Sequence, residues 1–295
     1  MTDGFVLAVD FGGTKAGLAA VDPAGTVLAD VRLPIHADRG AEQAVARTLD
    51  AARALITRVD GTLLGSGVAG PGIVLPDRVL LAPNVPGWSR LRLQEMFETA
   101  LDVPATCAND VKAAALAEAR WGHLHGVSTG MHVNLGTGLA LAVVVDGTVL
   151  TGAHGAAGEI GYNLRLGSDT PQGGAPLEEQ VGGRALGVRG RAVGGSGDAE
   201  SVFALARTDS AARSFLDEAL DELAVHLANA AMLVDPARIT VGGGMVRSAE
   251  VVLPVLKAVV DHAVPFPPEL VTARFAQDGP LVGAAALAWD GLRAR

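Results

Sequence analysis

The stretch VLAVDFGGTKAGLAAVDPAGTVLAD, residues 6–30, is apolar almost throughout, yet it sets Asp10, Gly12, Gly13, Thr14 and Lys15 between two strand-like runs. Paired glycines there fit an ordinary β-hairpin, in which backbone φ is often positive. They equally fit an anion-binding turn, because residues without Cβ let successive N–H groups approach phosphate oxygens. The stretch alone leaves both readings open. Its repetition weighs between them. Residues 131–152, MHVNLGTGLALAVVVDGTVLTG, follow the same plan: a strand ending in Asn134, a Gly136-Thr137-Gly138 turn, a second apolar strand, a tight turn and a third strand. Gly25-Thr26-Val27-Leu28 recurs letter for letter as Gly147-Thr148-Val149-Leu150. Two copies of a three-strand unit predict two similar lobes; a solenoid needs three or more repeats.

The stretches around the copies predict α/β lobes. Residues 39–59 carry Ala, Val, Leu and Ile at helical intervals, LLGSGVAG (63–70) reads as a buried strand, and 91–101 is amphipathic. VPATCA (103–108) is a further short strand, after which Asn109-Asp110 opens the helix VKAAALAEARW. Helical patterns run through 199–234 and 246–263, separated by the strand-like RITV and the glycine turn 242–244. GPLVGAAALAWDGL forms a closing helix.

Composition narrows the chemistry. The 295 residues are 49% hydrophobic, enough for full cores in two lobes. The formal charge is −9, from 23 Lys+Arg against 32 Asp+Glu, and no basic run follows a phosphate backbone, so nucleic acid is not an expected partner. No apolar run approaches the roughly 18 residues of a membrane span, and the opening MTDGFVLAVD has no signal-peptide character, so the expectation is a cytoplasmic protein. A single cysteine, Cys107, excludes an internal disulfide and a Cys-based metal cluster. Seven scattered histidines, with only His123 and His125 close together, do not make a metal site.

Two glycine turns, one from each lobe, suit a short polyphosphate chain. Asp10 is placed to hold Mg²⁺ directly or through water, and Lys15 adds a point charge. Gly242-Gly243-Gly244, between a strand and a helix, lets a flat base lie against the backbone.

VDFGGTK, GVAGPG, APNVPGW, NDVKAAALAE, NLGTG, GAAGEIGY, LEEQVGGRAL and VGGG occur in an order that resembles the repressor/ORF/kinase (ROK) family of sugar kinases over essentially the whole chain. The resemblance implies a two-lobed, duplicated ribonuclease-H-like (actin/hexokinase-type) α/β fold with an interlobe cleft that closes on sugar and ATP. The lobes expected are 1–108 and 109–279, with the helix 280–295 packing back on the first. It implies phosphorylation of a hexose, most often at the 6-hydroxyl of glucose, by ATP with Mg²⁺, in a homodimer. Asp110 takes the place of the general base, Asn84, Asn109, Glu159, Tyr162 and Glu178 those of sugar contacts. Asp10, Gly12, Gly13, Thr14, Lys15, Gly136, Thr137, Gly138 and Gly243 fall to ATP, and Asp10 also to Mg²⁺. Physical chemistry agrees on Asp110, since phosphoryl transfer needs a positioned carboxylate at the nucleophile. The plainer reading is that Asn109 or Asp110 caps the following helix, and that Glu178 is a first-turn acid favoured by the helix dipole.

Two departures from the family pattern stand out. Tyr162 replaces the usual His after GEIG, and the following NLRLGSDTPQGGAP contains no cysteine, so the family's zinc site is not expected. Lys112 stands two residues past the base, facing either the cleft or solvent. A polyphosphate-dependent glucokinase is the second reading, disfavoured by the −9 balance; a non-catalytic sugar-sensing homologue is the third. Family repressors carry an added winged helix, for which the ten residues before the first phosphate motif leave no room, so no DNA-binding module is expected.

Overall fold

The structure, a computed structural model, describes residues 4–75, 77–80, 87–165 and 176–294. The opening stretch folds as β1 (Gly4–Phe11), β2 (Lys15–Val21) and β3 (Val27–Pro34), followed by α1 (Ala41–Ile56) and β4 (Thr62–Gly70). A two-stranded ribbon of β5 (Ile73–Val74) and β6 (Val79–Leu80) comes next, then α2 (Leu93–Leu101), β7 (Ala105–Asn109) and α3 (Asp110–Trp121). The second copy supplies β8 (Thr129–Leu135), β9 (Leu139–Val145) and β10 (Thr148–Val149). After it come α4 (Glu178–Val181), α5 (Gly183–Gly190), α6 (Ala199–Leu205), α7 (Ser210–Val234), β11 (Arg238–Gly242), α8 (Ala249–Ala263), β12 (Glu269–Thr272) and α9 (Gly279–Arg293).

The two large sheets have orders β3-β2-β1-β4-β7 and β10-β9-β8-β11-β12. In each, three antiparallel strands are extended by two parallel ones, so the repeat read in the sequence is a repeat of topology. The shared tetrapeptide has a geometric cause: Gly25 and Gly147 both take left-handed φ, +87° and +75°, where a side chain is strained. Phe5 to Val9 are buried without interruption, as expected of a strand covered on both faces. The duplicated α/β fold is the one expected.

The chain divides into two compact units: Met1–Trp121 with Thr151–Ala156 and Asp278–Arg295, and Gly122–Leu150 with Ala157–Gln277. A boundary at 108/109 would have assigned α3 to the second unit. Instead α3 packs on α9 within the first, and the contact depends on small residues. A Cβ on Gly283 would lie 1.8 Å from the Ala113 carbonyl oxygen, and one on Gly67 1.8 Å from that of Ala284. The helical pattern of 199–234 is also two helices, because Asp209 accepts from the Ala212 N–H at 2.8 Å and caps a fresh start. The second unit's core forms where α7 lays Leu216, Leu220, Leu223 and Leu227 against the buried side chains of β8 and β11.

Candidate active site

In the first unit, β1, β4 and β7 run parallel and end along one edge, since Asp10 pairs with Ala69 and Gly70 with Asn109. In open α/β sheets ligands collect at this carboxyl edge. The β1–β2 turn is closed by a 3.0 Å bond from the Gly12 N–H to the Lys15 carbonyl. Neither Gly12 nor Gly13 takes a positive φ, so the handedness of a hairpin turn does not explain them. A Cβ on Gly13 would meet nothing within 4 Å, and Gly13, Thr14 and Lys15 are exposed. The turn is an open backbone surface, the form an anion needs.

At the end of β7, Asn109 Oδ1 accepts from the Lys112 N–H at 2.7 Å, and Asp110 Oδ1 accepts from the Val111 N–H at 2.9 Å. Asn109 therefore caps α3, while the bond to Val111 fixes the direction of the Asp110 carboxylate in the first turn, at the positive end of the helix. Lys112 is buried rather than turned to solvent. Asp10 is pushed up to about 7, by burial first and then by the charge of Asp110; Arg32 opposes the shift and Asp278 adds to it. Gly17 lies in register between Asp10 and Arg32, and Arg32 pairs with Asp278 at 2.5 Å.

Two acids whose charges oppose each other suit a hard divalent cation, which relieves their repulsion. Among the described residues no cluster of three such side chains could cage an ion unaided. Mg²⁺ typically takes only one or two carboxylates together with phosphates and water. Without a cation, the folded Asp10 keeps its proton to about pH 7 while the unfolded one loses it near pH 4. The stabilisation this gives is complete below about pH 4 and is lost as pH rises through 7. Asp10→Asn should therefore be more stable than wild type at pH 8 without Mg²⁺, by on the order of 3 kcal/mol, and the gap should close below pH 4. Paired thermal melts across that range measure it, and an equal gap at both ends would contradict it.

In the second unit, the twin turn after β8 closes with the Gly136 N–H on the Gly138 carbonyl at 3.1 Å. The Gly183 and Arg184 N–H groups donate to the Gly136 and Thr137 carbonyls, each at 3.0 Å, so the start of α5 holds the turn from behind. Gly243 has φ +89° and ψ 174°, a region open essentially to glycine alone. Asn134, Gly136, Thr137, Gly243 and Gly244 line one cavity of about 770 Å³, the size of a small-ligand site. Its apolar part includes Phe203 and Met245, and its rim carries Arg184, Arg207 and Arg247. Arg207 is paired with Glu250 at 3.0 Å. Sequence reasoning missed these side chains. Arg184 was within reach, because it belongs to LEEQVGGRAL; Phe203 and Met245 carry no local signal.

The expected sugar-contacting acids of this unit lie at the start of β9. Gly158, with φ +88°, lies so close to β9 that a Cβ would sit 1.9 Å from the Leu141 carbonyl oxygen. Glu159 and the exposed Tyr162 follow directly. Glu178 Oε2 accepts from the Leu139 N–H at 2.8 Å, which ties it to the strand after the phosphate turn. The Tyr162 phenol is held above its ordinary value, by burial first and then by the charges of Glu178 and Glu159. Asn84 and residues 166–175, where the family's zinc loop would fall, lie outside the described residues. The expected site residues thus form two groups, one in each unit.

A duplicated α/β fold with a glycine turn after the first strand of each copy, and a ligand-sized cavity at the second turn, defines the actin/hexokinase architecture. The chain belongs to the ROK family, whose family model matches residues 6–290. It is 32% identical over 296 residues to the bifunctional enzyme NanE/NanK of Brucella melitensis, an alignment covering 96% of this chain and 54% of that protein. The chain therefore spans about half the length of that relative. With the glucokinase of Halalkalibacterium halodurans it shares 29% identity, over 87% of this chain and 85% of the other. The crystal structure of a ROK family glucokinase from Streptomyces griseus in complex with glucose and AMPPNP aligns with a TM-score of 0.80 at 27% identity, over 97% and 100% of the two chains.

Proposed function

We propose that this chain transfers the γ-phosphoryl group of ATP to a hexose, most favourably to the 6-hydroxyl of glucose. The observation that carries the reading is the cavity joining the Gly136–Thr137 turn to the Gly243–Gly244 turn. Backbone N–H groups there other than those of Gly136 and Gly243, which are already bonded within the fold, receive phosphates, and Phe203 and Met245 offer an apolar wall for a base. Asp110, its carboxylate directed by the Val111 N–H, takes the hydroxyl proton as the sugar oxygen attacks phosphorus. Asn84, Asn109, Glu159, Tyr162 and Glu178 hold the sugar's other hydroxyls. Gly13, Thr14 and Lys15 add phosphate donors from the first unit, and Gly12 shapes that turn through its bond to the Lys15 carbonyl. Mg²⁺ at Asp10, directly or through water, neutralises charge on the phosphates when bound. The family resemblance also brings a homodimeric, cytoplasmic enzyme without zinc into the proposal.

The three rim arginines favour a second donor, inorganic polyphosphate. A polyphosphate chain, however, makes no use of Phe203 and Met245. A coupled assay across a hexose panel, with ATP and with polyphosphate at equal phosphoryl concentration, tests both parts of the reading. Glucose should be turned over, and faster with ATP. Faster turnover with polyphosphate would reverse the choice of donor, and no turnover of any hexose would favour a sugar sensor. In the same assay, Tyr162→Phe should change the kcat/KM ratios between glucose and its epimers or 2-substituted analogues. Sites that hydrogen-bond a hydroxyl discriminate strongly, whereas apolar walls do so weakly. Unchanged ratios would remove Tyr162 from the sugar site.

A further inference from the structure

Directly after the Tyr162 turn, Asn163 and Arg165 are both held by one face of α7. Asn163 Nδ2 donates to His226 Nδ1 at 3.2 Å, and Arg165 Nε donates to Glu222 Oε1. Glu222 and His226 stand four residues apart, so one helix face presents both. Arg165 and Glu222 side chains are only 22% and 21% exposed, which separates this pair from the screened pairs of an open surface. Burial lowers the His226 pKa, with Glu222 opposing and Arg165 adding, which favours the neutral ring that accepts from Asn163. The Asn163 carbonyl accepts from the Leu177 N–H at 3.1 Å, one residue before Glu178. One clamp thus fixes the chain after Tyr162 and the chain before Glu178. None of its four side chains lines the donor cavity.

We propose that the Arg165–Glu222 and Asn163–His226 pairs are positioning residues for the hexose, holding Tyr162 and Glu178 in the geometry that sets sugar affinity. The inference rests on the reading of those two residues as sugar contacts, and its test has an arm that needs no catalysis. Tyr162 is the chain's sole tyrosine, so the ultraviolet absorbance of tyrosinate titrates this one side chain.

In Glu222→Ala the titration midpoint should fall toward that of free tyrosine, because the phenol moves away from the charges of Glu178 and Glu159. The KM for sugar should rise about tenfold while the KM for ATP stays within about twofold, the pattern of one broken local network. Glu222→Gln keeps an acceptor for Arg165 and should fall between wild type and Glu222→Ala on both readouts; it also serves if the alanine variant fails to fold. Arg165→Ala/Glu222→Ala should be no worse than Glu222→Ala alone, since the two side chains act as one pair. An unchanged tyrosine titration with an unchanged sugar KM overturns the proposal whatever happens to Tm, as does an equal rise in both KM values. If the wild-type enzyme phosphorylates no hexose, the functional reading fails by itself, and the titration still decides whether the clamp positions Tyr162.

Discussion

Asp110→Asn is expected to lower kcat by about 10²–10⁴-fold, the range for losing a general base, while ATP binding stays near wild type and Tm does not fall. The substitution separates two roles that coincide at this position. Asp110 Oδ1 accepts from the Val111 N–H, so part of its value is structural. Asparagine keeps an oxygen in that place to accept from the Val111 N–H. The lost charge also relieves Asp10, whose pKa is raised in part by Asp110, so the variant should gain rather than lose stability above pH 7. What asparagine cannot do is hold a proton taken from a hydroxyl. ATP binding should survive because the cavity assigned to the nucleotide is built wholly from the second unit. Initial rates at saturating sugar and ATP, with calorimetric ATP titration, measure both halves. A kcat near wild type would make Asp110 a first-turn helix residue only and remove the mechanism proposed above.

The repeat was legible because strand burial and left-handed turns impose local demands that residues answer directly. Phe5–Val9 and the Gly25 and Gly147 turns are cases of this. Asn109 and Asp110 were legible as helix openers for the same reason. The return of helix 280–295 to the first unit was expected, but the end of that unit at Trp121 was not legible, because it depends on Gly283 meeting Ala113, residues 170 positions apart. The break between α6 and α7 hides inside a continuing apolar rhythm, with Asp209 as its single local mark. Phe203 and Met245 read as ordinary core residues until the chain path sets them around the Gly136 turn. Glu178 shows the limit most clearly. Its position marked it as a helix acid or a sugar ligand, and its bond to the Leu139 N–H is a third role that neither motif nor periodicity encodes.

Gly243→Ala should be the most damaging change of a single methyl group in the donor cavity. At φ +89° and ψ 174° an alanine is strained by about 1–3 kcal/mol. Its Cβ would also lie 2.5 Å from the Leu135 carbonyl carbon and oxygen and 2.7 Å from Asn134 Oδ1. Leu135 cannot easily retreat, since β8 is held by β9 on one side and by β11 on the other, with Asn134 in register with Gly242. Gly243 is itself anchored by its N–H on the Ala276 carbonyl at 2.8 Å. Forcing a methyl group into packed surroundings adds about 1–3 kcal/mol more, so a marked loss in Tm is expected. Any relaxation must move the end of β8 away from the Gly243 turn, and these are two walls of one cavity. A displacement near 1 Å in a binding site can lower activity about 10²-fold, and here the loss should fall on kcat/KM for ATP more than on KM for sugar. Gly244→Ala is the control, one residue further on. A Cβ there meets no protein atom within 4 Å and the backbone is not left-handed, so Tm should match wild type even though the methyl group enters the cavity assigned to the nucleotide. If both variants melt alike, the close approach of the two glycine turns is not what shapes the donor site.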